Sequence, residues 1–86
     1  MLWKEVREKH PSKWLVLEAL KFHQMDDKFV IEDFELLSIF DKPVEAYTEY
    51  RSLHRQHPNK EILFADAEMP VLEIPTSYRA ITFNGL

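Results

Sequence analysis

Hydrophobic positions along this chain change their period several times, and each change predicts an element. Leu2, Trp3, Val6 and His10 fall at helical spacing with charges between them, which predicts a short helix over residues 2–9. Pro11 disfavours helical backbone at His10 and stops it there. Trp14 to Phe22 reads as a strand: Trp14, Val16, Leu20 and Phe22 share one parity, Leu15, Leu17 and Ala19 the other. Apolar residues on both parities predict an interior position. His23 to Lys28 is a polar break of hairpin size, and Asp26 or Asp27 is suited to carry positive φ. Phe29 to Phe40 reads as a second strand whose phase slips. Val30, Phe34 and Leu36 share one parity, Leu37 and Ile39 the other, so a bulge or bend is expected near Leu36-Leu37. Asp41 is placed to cap a second helix, with Pro43 in its first turn. Ala46, Tyr47, Tyr50, Leu53, His54 and His57 form its apolar stripe, and Pro58 ends it. Glu61 to Ala65 predicts a third strand. Val71 to Ile74 and Tyr78 to Phe83 predict an interrupted fourth, placed at an edge by Pro70 and Pro75; residues 84–86 should fray.

The pattern repeats. Glu8-Lys9-His10-Pro11-Ser12-Lys13 leads into Trp14-Leu15-Val16-Leu17, and Arg55-Gln56-His57-Pro58-Asn59-Lys60 leads into Glu61-Ile62-Leu63-Phe64. Trp3 and Val6 correspond to Tyr50 and Leu53 at the same offset. The expected architecture is one α+β domain over residues 1–86, ordered α-β-β-α-β-β, with pseudo-repeats at about 1–40 and 41–86. The expected sheet has four strands and carries both helices on one face. Such an order is a circular permutation of the ferredoxin-like arrangement, a topological likeness that implies no function.

Composition narrows the chemistry. Apolar residues make up 45% of the chain and aromatics 13%, enough for a core and too much for disorder. Fifteen acidic residues against 11 basic ones give a net charge of −4, which argues against nucleic acid as a partner. Lys4-Arg7-Lys9-Lys13 and Arg51-Arg55-Lys60 are basic stripes, diluted by Glu5, Glu8 and Glu49. Without cysteine there is no disulfide, thiolate zinc site or cysteine nucleophile. No apolar run has the length of a signal peptide or a bilayer span, so the expected setting is the cytoplasm, away from membranes. A phosphate loop of the glycine-rich kind cannot be built from Gly85 alone, and no serine has nucleophile-elbow surroundings.

Three constellations remain. His54 and His57 stand at i, i+3 on a helix and could share a metal with a third ligand such as His10, His23 or a carboxylate; the plainer role of His10 and His57, each just before a proline, is to end a helix. Asp26, Asp27, Glu32, Asp33 and Glu35 form an acidic segment suited to turns, a solvated strand face or docking of a basic partner. Trp3, Tyr47 and Tyr50 are large aromatics that fill a core or, where two short helices leave them uncovered, form an association surface.

Pro11-Ser12-Lys13-Trp14-Leu15-Val16-Leu17-Glu18 and Phe40-Asp41-Lys42-Pro43-Val44-Glu45-Ala46-Tyr47 resemble segments of small conserved bacterial and archaeal proteins of unknown function. In these a P-x-K-W strand is paired with a D-x-x-x-E-A helix. The likeness covers roughly residues 10 to 66. It implies no catalytic or binding residues, because such proteins have no established activity.

The sequence reading is therefore a non-enzymatic interaction or regulatory module without cofactor or metal, whose partner is protein. The expected partner is a second copy, a dimer. Its expected surface is Trp3, Tyr47, Tyr50 and the acidic segment. Two alternatives are kept: a small metal- or carboxylate-dependent enzyme at His54 and His57, and single-stranded RNA binding on an aromatic sheet face.

Overall fold

The computed structural model of the chain describes residues 1–75; the second part of the predicted fourth strand and the fraying end lie outside the described residues. The element order is α1 (Trp3–Lys9), β1 (Trp14–Met25), β2 (Lys28–Phe40), α2 (Pro43–Gln56), β3 (Ile62–Asp66) and β4 (Glu73–Pro75). Among the described residues, two helices and four antiparallel strands make an α+β domain. None of the helices is long and apolar enough to cross a membrane, among the described residues.

Both predicted helix stops form in the same way. His10 donates its amide to the Val6 carbonyl at 2.9 Å, and His57 donates to Leu53 at 2.9 Å. Their backbone angles also match, φ −132 and ψ 58 against φ −130 and ψ 69. Proline at the next position then diverts the chain into sheet. Ser12 completes the first turn at φ 62, a left-handed conformation that costs a non-glycine residue about 1 kcal/mol. Ser12→Gly should therefore raise stability by about 0.5–1 kcal/mol, less the loss of the exposed bond from Ser12 Oγ to Glu68. Urea unfolding of the two proteins reads the difference.

The long hairpin β1–β2 forms the middle of the sheet. Its loop is only Asp26-Asp27, and Asp26 takes the positive φ, at 57. The predicted bulge is present: Val16 pairs with Ser38 but Leu17 pairs with Leu36, leaving Leu37 as the extra residue. A second irregularity lies between Ala19 and Phe22, where Ala19 faces Phe34 and Phe22 faces Ile31. This one reverses the expected parity. Phe22 joins Leu15, Leu17 and Ala19 on one side of the sheet instead of Trp14 and Val16 on the other.

The order β3-β1-β2-β4 corrects two expectations. The strands of the second half do not pair with each other; the hairpin of the first half separates them. A permuted ferredoxin-like sheet would seat the last strand between the second and third, whereas β4 is an edge strand, as Pro70 and Pro75 suggested. The repeat thus extends through helix, stop and strand, but not to the pairing. In addition, the helices do not share a face. Trp3 and Val6 of α1 pack with Leu15, Leu17, Phe34, Leu63 and Ala65. Ala46, Tyr50 and Leu53 of α2 pack with Val16, Ile62 and Phe64 on the opposite face. The physical reason is that β1 is interior and apolar on both sides, so each side needs its own cover.

Asp41 does not cap α2. The N-cap is Lys42, with no side-chain cap bond, and the Asp41 carboxylate pairs instead with Lys13, the residue before β1. That hydrogen bond, with the charge of Lys13, holds the Asp41 carboxyl below the usual carboxylate range. Asp33 is lowered too, first by its hydrogen bond from the Met1 amine. The folded state therefore binds fewer protons than the unfolded chain in acid. Stability from these groups is present above the ordinary value of 3.8 and is lost as pH falls through the lower folded values. Lys28 behaves oppositely. Its bond to Glu73 raises its pKa, so its contribution is present below 10.5 and is lost as pH rises through the raised value. Thermal melts between about pH 2 and about pH 5 should show Asp41→Asn flattening the acid limb.

Candidate functional site

The second helix carries most of the surface chemistry. Tyr50 points from it into the α2 face of the sheet and is 2% exposed. Around it stands an aromatic cluster: Phe64 at 5.3 Å between centroids, Tyr47 at 6.0 Å and the His54 ring stacked at 5.8 Å, with 17° between planes. Tyr47 also meets the Phe64 edge at 5.5 Å. Such pairs add to the stabilisation from burial alone. The hydroxyl of Thr48 donates to the Val44 carbonyl at 2.8 Å.

Two grooves flank the outer side of α2. One, of about 510 Å³, lies between the helix and the end of β2 and is lined by Phe40, Val44, Glu45, Thr48, Glu49 and Ser52. The other, of about 390 Å³, is lined by Tyr47, Thr48, Arg51, Ser52, Arg55 and Gln56. Arg51 lies with its guanidinium carbon 5.8 Å from the Tyr47 ring centroid, the geometry of a cation over an aromatic face.

The residues singled out in the sequence disperse. Trp3 belongs to the core of the α1 face: its ring meets Phe34 edge-on at 6.0 Å and its indole N–H donates to the Met69 carbonyl at 2.8 Å. Tyr50 is buried and presents no surface; Tyr47 is exposed. Asp26 and Asp27 occupy the hairpin tip. Glu32 pairs with His23 Nδ1 at 3.0 Å, Asp33 with the Met1 amine at 3.0 Å, and Glu35 stands across from Glu18. The acidic segment therefore lies along the length of β2 and does not converge on one point. His54 lies flat on Tyr50, and His57 is exposed. No three His, Asp or Glu side chains come together as a metal-ligand set among the described residues. Among the described residues the large exposed apolar side chains on the sheet are Leu20, Met25, Leu37 and Ile39.

What the sequence did not bring forward is the outer edge of β2. Beyond Val30, which pairs with Glu73, and Ile31, which donates to the Leu72 carbonyl, the side of β2 away from β1 has no ladder partner among the described residues. Leu37 and Ile39 lie on this stretch at 39% and 40% exposure, and Val44 at 64% follows in the first turn of α2.

The fold and this surface define a small α+β domain in which, among the described residues, the far part of the β2 edge has no ladder partner and lies near an apolar helix start. No family model, no curated protein and no solved structure matches the chain.

Proposed function

We propose that this protein is a non-enzymatic interaction module whose first partner is a second copy of itself, joined through the outer edge of β2. The observation that supports this most is the coincidence of a strand edge without a ladder partner among the described residues with exposed Leu37, Ile39 and Val44. Backbone N–H and C=O groups along such an edge are a template for another strand. A second copy supplies the same edge in reverse, and a two-fold arrangement then satisfies both. The exposed aliphatic side chains at the end of β2 and the start of α2 would be covered in the same event.

Edges that must stay single are protected by inward charges or lysine. Here the bulge at Leu37 provides some protection, but Leu36, Leu37, Ser38, Ile39 and Phe40 carry no charge. The acidic residues Glu32, Asp33 and Glu35 lie closer to the hairpin tip and confine pairing to the far end of the strand. Sedimentation velocity over about a hundredfold range of micromolar concentration tests the reading. A mass that rises toward twice that of the chain supports it, and a single monomeric species at every concentration refutes it.

A further inference from the structure

The groove on α2 lined by Tyr47, Arg51, Ser52, Arg55 and Gln56 has a charge pattern that folding alone does not explain. Arg51 and Arg55 stand at i, i+4, where like charges repel and destabilise a helix. The positions three and four residues from Arg51 are Tyr47, Thr48, His54 and Arg55, and those before Arg55 are Arg51 and Ser52, so neither arginine has an acidic neighbour on its own face. Neither forms an ion pair among the described residues. Arg55 is in the last turn, where the helix dipole favours a cation, but Arg51 is a full turn earlier. Its Nε is shielded from solvent and has no hydrogen-bond partner, an arrangement that leaves a buried donor at a cost. Gln56 donates to Ser52 Oγ at 3.2 Å, so the Ser52 hydroxyl proton is left to donate outward. The Tyr47 ring holds the Arg51 guanidinium in place.

We infer that this groove binds an oxyanion, a phosphoryl or carboxylate group of a small ligand. Arg51, Arg55 and Ser52 line one space, and no carboxylate among the described residues of this otherwise acidic chain lines it. Guanidinium recognises such groups through paired N–H···O bonds. The ligand cancels the repulsion between the two arginines, and a tetrahedral phosphate has enough oxygens to meet both forks and the hydroxyl at once. Arg51 and Arg55 do not line the groove beside Val44 and the end of β2, so substitutions at the arginines and at Ile39 test binding and self-association independently.

The test is a titration at low ionic strength with inorganic phosphate in one arm and succinate in the other. It is followed by the side-chain Nε–Hε resonances of the arginines. The expected result is a saturable shift of the Arg51 resonance, with phosphate binding more tightly than succinate. Tighter succinate binding would keep the site and assign it to carboxylates. Arg51→Gln and Arg55→Gln should each weaken binding at least tenfold at an unchanged or higher melting temperature, Arg51→Lys should weaken it less, and Lys4→Gln not at all. Shifts that grow linearly without saturating, or an affinity unaltered in both glutamine variants, would overturn the proposal. So would a loss of binding that occurs only together with a loss of folding, which would assign Arg51 to packing.

Discussion

Trp3→Ala is expected to lower the stability of the domain by about 3–4 kcal/mol and to release α1 from the sheet. The helix has two turns, too few to persist in isolation, and it is held by few groups. Trp3 packs on Phe34 and donates to Met69, Val6 is buried, and Arg7 donates to the Ala67 and Pro70 carbonyls. Truncating the indole removes the largest of these and leaves the Met69 carbonyl without its donor. The loss is a large share of the roughly 5–15 kcal/mol that stabilises a typical domain. Trp3→Phe keeps the ring contact and should cost about 1 kcal/mol, the value of the hydrogen bond. Leu20→Ala, at an exposed position of β1, should change stability by less than about 0.5 kcal/mol. Denaturant unfolding with hydrogen exchange over residues 3–9 measures all three. Equal costs for Trp3→Ala and Leu20→Ala would mean that α1 does not cover its face of the sheet.

Ile39→Asp is expected to dissociate the proposed dimer. At 40% exposure the isoleucine contributes modestly to the monomer, so monomer stability should fall by only about 0.5–1 kcal/mol. In the paired edge the same position stands on one face of the continued sheet beside the partner strand, and two copies would bring two carboxylates together there. The dimer should weaken at least tenfold, or about 1.4 kcal/mol. Val44→Asp should act in the same direction. Val71→Asp is the control: Val71 is also exposed but belongs to the connection before β4, so association should be unaltered. Equal association of wild type and Ile39→Asp in sedimentation would remove the β2 edge from the interface.

Local structure was largely legible in the sequence where one residue type forces one backbone outcome. The two His-Pro stops, the positive φ of Asp26 and the bulge at Leu37 follow from proline geometry, from the near-absence of glycine and from a parity slip. The allotment of helices to faces was not legible. Leu15 and Val16 are both apolar, and neither α1 nor α2 states which parity of β1 it will cover; that depends on the pairing of β3 with β1 and on the chain path through Ala67 and Met69. The irregularity near Leu20 was hidden because Leu20 continues the alternation of Trp14, Val16 and Phe22. The expected surface was too broad for a related reason. Trp3 and Tyr50 are aromatic whether they fill a core or cover a partner, and only the third dimension separates the two. In the sequence the arginine pair is a stripe diluted by Glu49. On the helix, two residues from Arg51 is the far side, and Glu49 accepts a hydrogen bond from Ser38 on β2 instead.

Hydrogen exchange of individual amides at two protein concentrations tests the proposed assembly most directly. Outward-facing amides between Leu36 and Phe40 should exchange quickly in dilute protein and slow at least tenfold in concentrated protein, while those of β3 stay constant. Identical exchange along β2 at both concentrations, in a sample that nevertheless sediments as a dimer, would place the interface elsewhere on the molecule.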